Sequence, residues 1–223
     1  GAAFTGDVVD LFQVAAIFVF VAMVFDALDG QVARMTNQAT PFGAQLDSMA
    51  DMVTFGVAPA FLAKVLVDWH AQGDAIGLLP KHPKLYYVAA AIYVLCAAMR
   101  LARYNVETGS AEEDHREFRG LPTPAAAAVV CALVAFFCAR DDERQLISHA
   151  LLSKQHFDWI VMLLPLALAT LGLLMVSRVP YPHAIYTLVR KRHSFPFLAS
   201  LVVLIGIAAV EWQLALLVVT LGY

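Results

Sequence analysis

Four aspartates lie between positions 26 and 51 of a chain in which 61% of the residues are hydrophobic. They form two pairs, Asp26 with Asp29 and Asp47 with Asp51. An ionised side chain in the middle of a membrane helix costs about 2.5–3.5 kcal/mol, so four would cost on the order of 10 kcal/mol. Arg34, the one arginine among them, cannot balance four carboxylates. We infer that the four face a polar cavity in which two divalent cations neutralise them.

Small residues accompany both acidic pairs. The members of the first pair are three residues apart, and Gly30 and Ala33 follow them at i+4 on the same helix face. The second pair continues a four-residue spacing that begins at Gly43. Small side chains leave room for a ligand or for close backbone approach. Because all the candidate ligand atoms are oxygens, Mg²⁺ or Mn²⁺ is favoured over zinc or iron.

Two other interpretations of the acidic cluster compete with a metal site. A buried polar network that merely joins two helices explains a single aspartate better than four. A cation pathway is the stronger alternative, because acids within membranes often line one. Against a pathway, the acids lie at one depth, and the later apolar segments contain almost no polar groups that could continue it.

The apolar segments that must position these acids predict an all-α, polytopic membrane protein. The mean hydropathy is +0.70, and stretches of about 20 apolar residues, the length of a transmembrane helix, recur along the chain. We predict one domain over residues 1–223 and about six spanning helices. Their expected bounds are Val8–Arg34, Phe42–Asp68, Lys84–Asn105, Thr123–Ala139, Phe157–Ser177 and Phe197–Gly222. Pro41, Pro83 and Pro122 stand at three of the predicted helix starts.

Loop charges predict the orientation of the helices. The side that contains the loop between the two acidic pairs carries nine arginines and lysines, against six on the other side. The positive-inside tendency therefore places the acids at the cytoplasmic face. At 1.5 Å per residue, Asp29 and Asp47 both lie about 7 Å inside the cytoplasmic ends of adjacent antiparallel helices. The carboxylates are expected to converge there.

The rest of the composition excludes some classes of partner. The net charge is −3 and no polybasic tail is present, so nucleic-acid binding is not expected. Cys96, Cys131 and Cys138 lie in apolar segments, which favours packing roles over disulfides. The chain starts without a methionine or a signal peptide, and we expect a further helix upstream.

The acidic cluster also resembles a known signature. The pattern is Asp26-x-x-Asp29-Gly30-x-x-Ala33-Arg34, eight residues, then Gly43-x-x-x-Asp47-x-x-x-Asp51. Every fixed position matches the CDP-alcohol phosphotransferase family. Residues 47–51, 55–60, 100–106, 120–125 and 175–182 further resemble the integral-membrane branch of that family that uses serine.

The resemblance implies an enzyme that transfers a phosphatidyl group from CDP-diacylglycerol to L-serine and releases CMP. It implies that Asp26, Asp29, Asp47 and Asp51 bind two divalent ions and that Asp51 is also the general base. Residues expected to contact CDP-diacylglycerol are Gly30, Ala33, Arg34 and Gly43. It also implies a homodimer and, in bacteria, a place in the inner membrane with the site facing the cytoplasm.

The sequence gives less evidence for the identity of the acceptor alcohol than for the metal site. Arg100 and Arg103 are i,i+3 on the third predicted helix, and both can point toward the cytoplasmic cavity. They are candidates for binding the serine carboxylate, or for anchoring at lipid headgroups. A sister enzyme that uses choline, glycerol phosphate or an inositol phosphate remains an alternative, and a divalent-cation transporter is the alternative from another class.

Overall fold

Helices form all the regular structure in the part of the chain that the structure, a computed structural model, describes. That part comprises residues 2–36, 40–72, 83–108, 120–138, 154–177, 216–217 and 220. The elements are α1 Ala2–Met35, α2 Pro41–Asp51, a π-helical turn Met52–Val57, α3 Ala58–Gln72, α4 Pro83–Thr108, α5 Thr123–Cys138 and α6 Lys154–Val176. The predicted all-α class is confirmed.

The first five predicted membrane segments correspond to observed helices. The first begins at Ala2 rather than Val8, and the second, which combines α2, the π-helical turn and α3, ends at Gln72 rather than Asp68. Helix starts follow the predicted prolines: Pro41 and Pro83 open their helices, and α5 begins directly after Pro122. The sixth predicted segment lies outside the described residues except at 216–217 and 220.

Among the described residues, three helices are long and apolar enough to cross a membrane: Val8–Val32, Pro41–Ala71 and Lys84–Val106. Two shorter apolar stretches, Thr123–Cys138 and Ile160–Val176, accompany them. Large apolar side chains along α1, including Leu11, Phe18 and Phe25, are exposed, as expected for a surface that faces lipid. The chain is an integral membrane protein.

The shortest of these apolar helices, α5, lies at the centre of the bundle. Its 16 residues reach about 24 Å, and most of them are buried, many of them alanines with no exposed surface. It packs along α1 on one side and against α3 and α6 on others, while α4 packs along α6. Small side chains let helix backbones approach closely where lipid supplies no hydrophobic drive for association.

Two glycines mark places where backbones nearly touch. A Cβ atom at Gly172 on α6 would lie 3.1 Å from the Cα of Tyr93 on α4, so a larger residue would push these helices apart. Gly120, just before α5, has φ +90°, and a Cβ there would lie 2.5 Å from the carbonyl oxygen of Met175. Next to it, the Leu121 amide donates to the Leu174 carbonyl at 3.2 Å. This contact fixes the entry to α5 against the end of α6.

The three cysteines behave as the sequence predicts. Cys96 on α4 and Cys131 and Cys138 on α5 are all buried, and none of the three forms a disulfide. They act as small packing residues within the bundle.

Candidate functional site

Three of the four aspartates meet between α1 and α2. One carboxylate oxygen from each of Asp26, Asp47 and Asp51 lies within 4.8 Å of the other two. Asp26 comes from α1, and the other two come from successive turns of α2. Asp26 and Asp51 are half-buried, whereas Asp47 is exposed. We call these three residues the acidic triad.

Asp29 lies beside the triad. It is exposed on α1, one turn beyond Asp26, and does not belong to the group of mutually close ligand atoms. Its charge nevertheless acts on all three carboxylates of the triad. Its predicted role as a metal ligand stays a prediction.

The triad concentrates negative charge that the bundle must offset. Two unit charges 4.8 Å apart repel by about 3 kcal/mol at an effective dielectric constant of about 20. With three such pairs the repulsion approaches 10 kcal/mol if all three groups are ionised. A cation shared by the three would convert this repulsion into attraction.

The donor set fits a hard divalent ion. It consists of carboxylate oxygens, the ligands that Mg²⁺ and Mn²⁺ prefer. Ligand distances of 2.0–2.1 Å place the oxygens around one Mg²⁺ ion about 3–4 Å apart. Since the triad oxygens lie within 4.8 Å of each other, small side-chain adjustments suffice to enclose one ion.

The start of α2 is fixed by local chemistry. Thr40 has an extended backbone and accepts a hydrogen bond from the Gly43 amide at 3.0 Å, and Pro41 occupies the first helical position. A Cβ at Gly43 would lie 3.1 Å from Thr40 Oγ1, so this position is tight. The cap fixes where α2 begins, and therefore which face of the helix carries Asp47 and Asp51.

Few contacts within the described part of the chain hold α2 to the bundle. None of its residues is buried, and its main neighbour there is the π-helical turn that continues the same helix. Ser48, between the two acids of α2, lies 3.1 Å from Oδ1 of Asn105 on α4 and 3.0 Å from the Ala44 carbonyl oxygen. Its hydroxyl proton can be donated to either acceptor. The acidic triad therefore depends on interactions just outside it.

The residues predicted to contact the nucleotide donor are only partly described. Gly30 is half-buried on α1 and Gly43 is exposed at the start of α2. Both lie on the helices that carry the triad. The side chains of Ala33 and Arg34 lie outside the described residues, although their backbone continues α1. Donor contact by these four residues stays a prediction.

The two arginines of α4 differ in their surroundings. Arg100 is half-buried, and its Nη1 donates to Thr123 Oγ1, at the start of α5, at 2.8 Å. Arg103, one turn further toward the end of α4, is exposed. The Thr123 bond orients Arg100 and gives it a packing role that the sequence did not suggest. Serine binding by either arginine stays a prediction.

Sequence reasoning missed the features that orient α2. The π-helical turn and the Ser48–Asn105 contact were not predicted. A signal for the turn was present in Pro59, which interrupts the helical hydrogen-bond pattern. The pairing of Ser48 with Asn105 joins residues 57 apart in the chain and has no local signal.

Comparison with known proteins places the chain in a family. The family model for CDP-alcohol phosphatidyltransferase matches residues 7–171, which include the acidic triad and α1 through most of α6. The chain belongs to this family. No solved structure matches it at a significant level.

Curated relatives support a narrower grouping. The chain is 34% identical over 172 residues to the CDP-diacylglycerol–serine O-phosphatidyltransferase of Helicobacter pylori, covering 77% of this chain and 62% of that protein. Proteins with the same name from Methanocaldococcus jannaschii and Bacillus subtilis are 35% and 30% identical, covering 74% and 76% of this chain. The matches cover 61% and 75% of those two relatives. The chain thus spans about three fifths of the length of the first and second of these relatives.

We predict that the acidic triad binds Mn²⁺ and that Asp26→Asn weakens this binding at least about tenfold, because the substitution removes one of three charged ligands. Electron paramagnetic resonance of free Mn²⁺ during titration of the purified protein measures the affinity.

Asp10→Asn is the matched control, because Asp10 is an exposed acid on the same helix about 24 Å from Asp26 at 1.5 Å per residue. Equal affinity in the Asp26 and Asp10 variants would contradict metal binding by the triad.

Proposed function

We propose that this protein transfers the phosphatidyl group of CDP-diacylglycerol to the hydroxyl of L-serine, giving phosphatidylserine and CMP. The observation that carries the proposal is the acidic triad, formed by the family signature and placed between two membrane helices. The names of the relatives from three organisms support serine as the acceptor. The membrane location supports a lipid-linked donor.

The proposed roles divide the reaction among the chain's own residues. Asp26, Asp47 and Asp51 would hold a divalent ion, with Asp29 contributing to a second one. Ions bound there would neutralise the diphosphate and stabilise the CMP that leaves. Gly30, Ala33, Arg34 and Gly43 are proposed to bind the cytidine and phosphates of the donor.

Asp51 is the proposed general base. It would accept the proton of the serine hydroxyl while the serine oxygen attacks the phosphorus that carries diacylglycerol. The bond from this phosphorus to the CMP oxygen breaks, and CMP leaves with the electron pair. Of the triad, Asp51 lies deepest along α2 and is half-buried, so it can act away from bulk water. Ligation of an ion by the same carboxylate would compete with this role.

The described core favours an enzyme over a cation transporter. Tyrosines aside, His70 and Thr123 are the buried polar residues of the described chain. His70 is 19 residues beyond Asp51 along the same long helix and packs edge-on against Phe137. Between them lie buried apolar side chains such as Phe55 and Leu66. Among the described residues, the fully buried side chains beyond the triad are therefore mostly apolar, which supports an enzyme over a transporter.

The proposed setting follows from the same features. The orientation with the triad at the cytoplasmic face of a bacterial inner membrane rests on the distribution of loop charges. Family resemblance suggests a homodimer. CDP-diacylglycerol and L-serine are the proposed small-molecule partners, and the bilayer supplies the donor.

We predict that the purified protein in detergent releases CMP from CDP-diacylglycerol when L-serine and Mn²⁺ or Mg²⁺ are present. EDTA should abolish the release, because the acids then lack their counter-charge. Choline, glycerol 3-phosphate and inositol phosphate, tested in parallel, should give no more CMP than the reaction without acceptor. CMP release with one of these alcohols instead of serine would identify a sister enzyme, and ion uptake into liposomes without CMP release would identify a transporter.

Asp51→Asn should lower kcat by about 10²–10⁴-fold, the usual contribution of a positioned base. Binding of CDP-diacylglycerol, measured by the shift in melting temperature that it produces, should persist. Asp10→Asn should keep both properties. Turnover by Asp51→Asn near the wild-type rate would show that another group accepts the proton.

Arg100→Gln should raise the KM for serine at least about tenfold, because a charge-assisted contact with the amino-acid carboxylate is lost. Saturating serine should then restore kcat toward the wild-type value. Failure of serine to restore turnover would assign Arg100 a structural role through Thr123, or a role in donor binding.

A further inference from the structure

We propose that Tyr93 is a positioning residue that sets the rotation of α2, and with it the meeting of Asp47 and Asp51 with Asp26. Tyr93 lies on α4 and is not a member of the acidic triad. It acts through the π-helical turn that begins one residue after Asp51. Only the kcat measurements that test this inference depend on the proposed function; the Mn²⁺-binding measurements do not.

The π-helical turn determines how α2 is rotated about its axis relative to α3. At its end the Ala58 amide donates to the Val53 carbonyl, five residues back. Relative to an α-helix this pattern inserts one residue, and each residue of an α-helix turns the chain by about 100°. Restoring a regular α-helix here would rotate α2 by about 100° relative to α3. Asp47 and Asp51 would then leave the face that meets Asp26.

Pro59 makes a regular helix unfavourable at this point. In an α-helix the residue 59 amide would donate to the Phe55 carbonyl, but proline has no N–H, and its ring crowds that carbonyl. Phe55 is 1% exposed, so water does not serve its carbonyl. A buried carbonyl without a donor is costly.

Tyr93 supplies a donor in place of the amide that Pro59 lacks. Its hydroxyl donates to the Phe55 carbonyl oxygen at 3.1 Å. Tyr93 is fully buried, at 0% exposed, and Gly172 on α6 packs against its Cα. The position of the hydroxyl is therefore fixed by the bundle, and the bond ties the π-helical turn to α4.

Within the described part of the chain, the Thr40 cap and the Ser48–Asn105 contact are the other interactions that orient the acid-bearing helix. No residue of α2 is buried, and its main neighbour among the described elements is the π-helical turn that continues the same helix. Within the turn Phe55 and Gly56 are buried, and a Cβ at Gly56 would lie 3.4 Å from Ala97 Cβ on α4. The turn thus packs against the same helix that carries Tyr93. A change in the turn would shift the positions of Asp47 and Asp51 without changing either residue.

Two substitutions separate positioning from stability. Tyr93→Phe removes the donor from the Phe55 carbonyl and should lower the melting temperature by at least about 3 °C. It should also weaken Mn²⁺ binding and lower kcat, each at least about fivefold, because small displacements of reacting groups are costly. Pro59→Ala restores an amide that can donate to the same carbonyl, and allows the helix to become regular.

The double variant decides the question. Tyr93→Phe with Pro59→Ala should recover the wild-type melting temperature, since the carbonyl regains a donor, while Mn²⁺ affinity and kcat stay low. Recovery of affinity and kcat together with the melting temperature would show a purely structural role and overturn the proposal. Pro59→Ala alone keeps Tyr93 on the Phe55 carbonyl and should retain Mn²⁺ affinity within about twofold of wild type without lowering the melting temperature. Affinity as low as in the double variant would assign the rotation of α2 to Pro59 and overturn the proposal, even if Tyr93→Phe alone does not fold.

Tyr87→Phe is the matched control. Tyr87 is on the same helix, six residues earlier, and its hydroxyl accepts from Lys64 Nζ at 2.7 Å, away from the π-helical turn. Its loss should leave Mn²⁺ affinity and kcat within about twofold of wild type. Mn²⁺ affinity needs no substrate, so it tests Tyr93 even if the wild-type protein releases no CMP. Absence of CMP release by the wild type would count against the proposed function and not against Tyr93.

Discussion

Like charges held together at the edge of a lipid-embedded bundle are the constraint on which this structure depends. Asp26, Asp47 and Asp51 approach within 4.8 Å, and when all three are ionised their repulsion opposes the approach of α1 and α2. The short connection between the two helices and the packing beneath them keep the acids together. A site strained in this way attracts a small, highly charged cation, because the cation relieves the repulsion that folding imposed.

The closely packed part of the bundle and the acid-bearing part are different helices. Its centre is α5, whose alanines and valines let α1, α3 and α6 approach closely. The acid-bearing α2 extends from this centre with no buried residue of its own. Three features position α2: the cap at Thr40, the contact between Ser48 and Asn105, and the π-helical turn. The acids of α2 therefore lie on a helix without buried residues, beside helices that pack closely.

Much of the fold and part of the site could be predicted from the sequence, because both depend on local spacing. Apolar stretches predicted five membrane segments that the observed helices α1 to α6 form. The i,i+4 interval placed Asp47 and Asp51 on one face of α2, where both meet Asp26. The π-helical turn was missed, although Pro59 signals it, because its hydrogen-bond donor, Tyr93, is 38 residues away from Phe55. Whether these groups meet is decided by helix packing, which spacing alone does not determine. The different position of Asp29 likewise depends on how α1 is rotated in the bundle.

Because the native cysteines are buried, the protein is suited to labelling at an introduced cysteine. Cys96, Cys131 and Cys138 are the chain's three cysteines, and all are enclosed by neighbouring helices. A thiol introduced at an exposed position, such as Met35 at the end of α1, would be far more accessible to maleimide reagents than the native sulfur atoms. Spin labels or fluorophores can therefore be placed within a few turns of the carboxylates in the otherwise unaltered polypeptide.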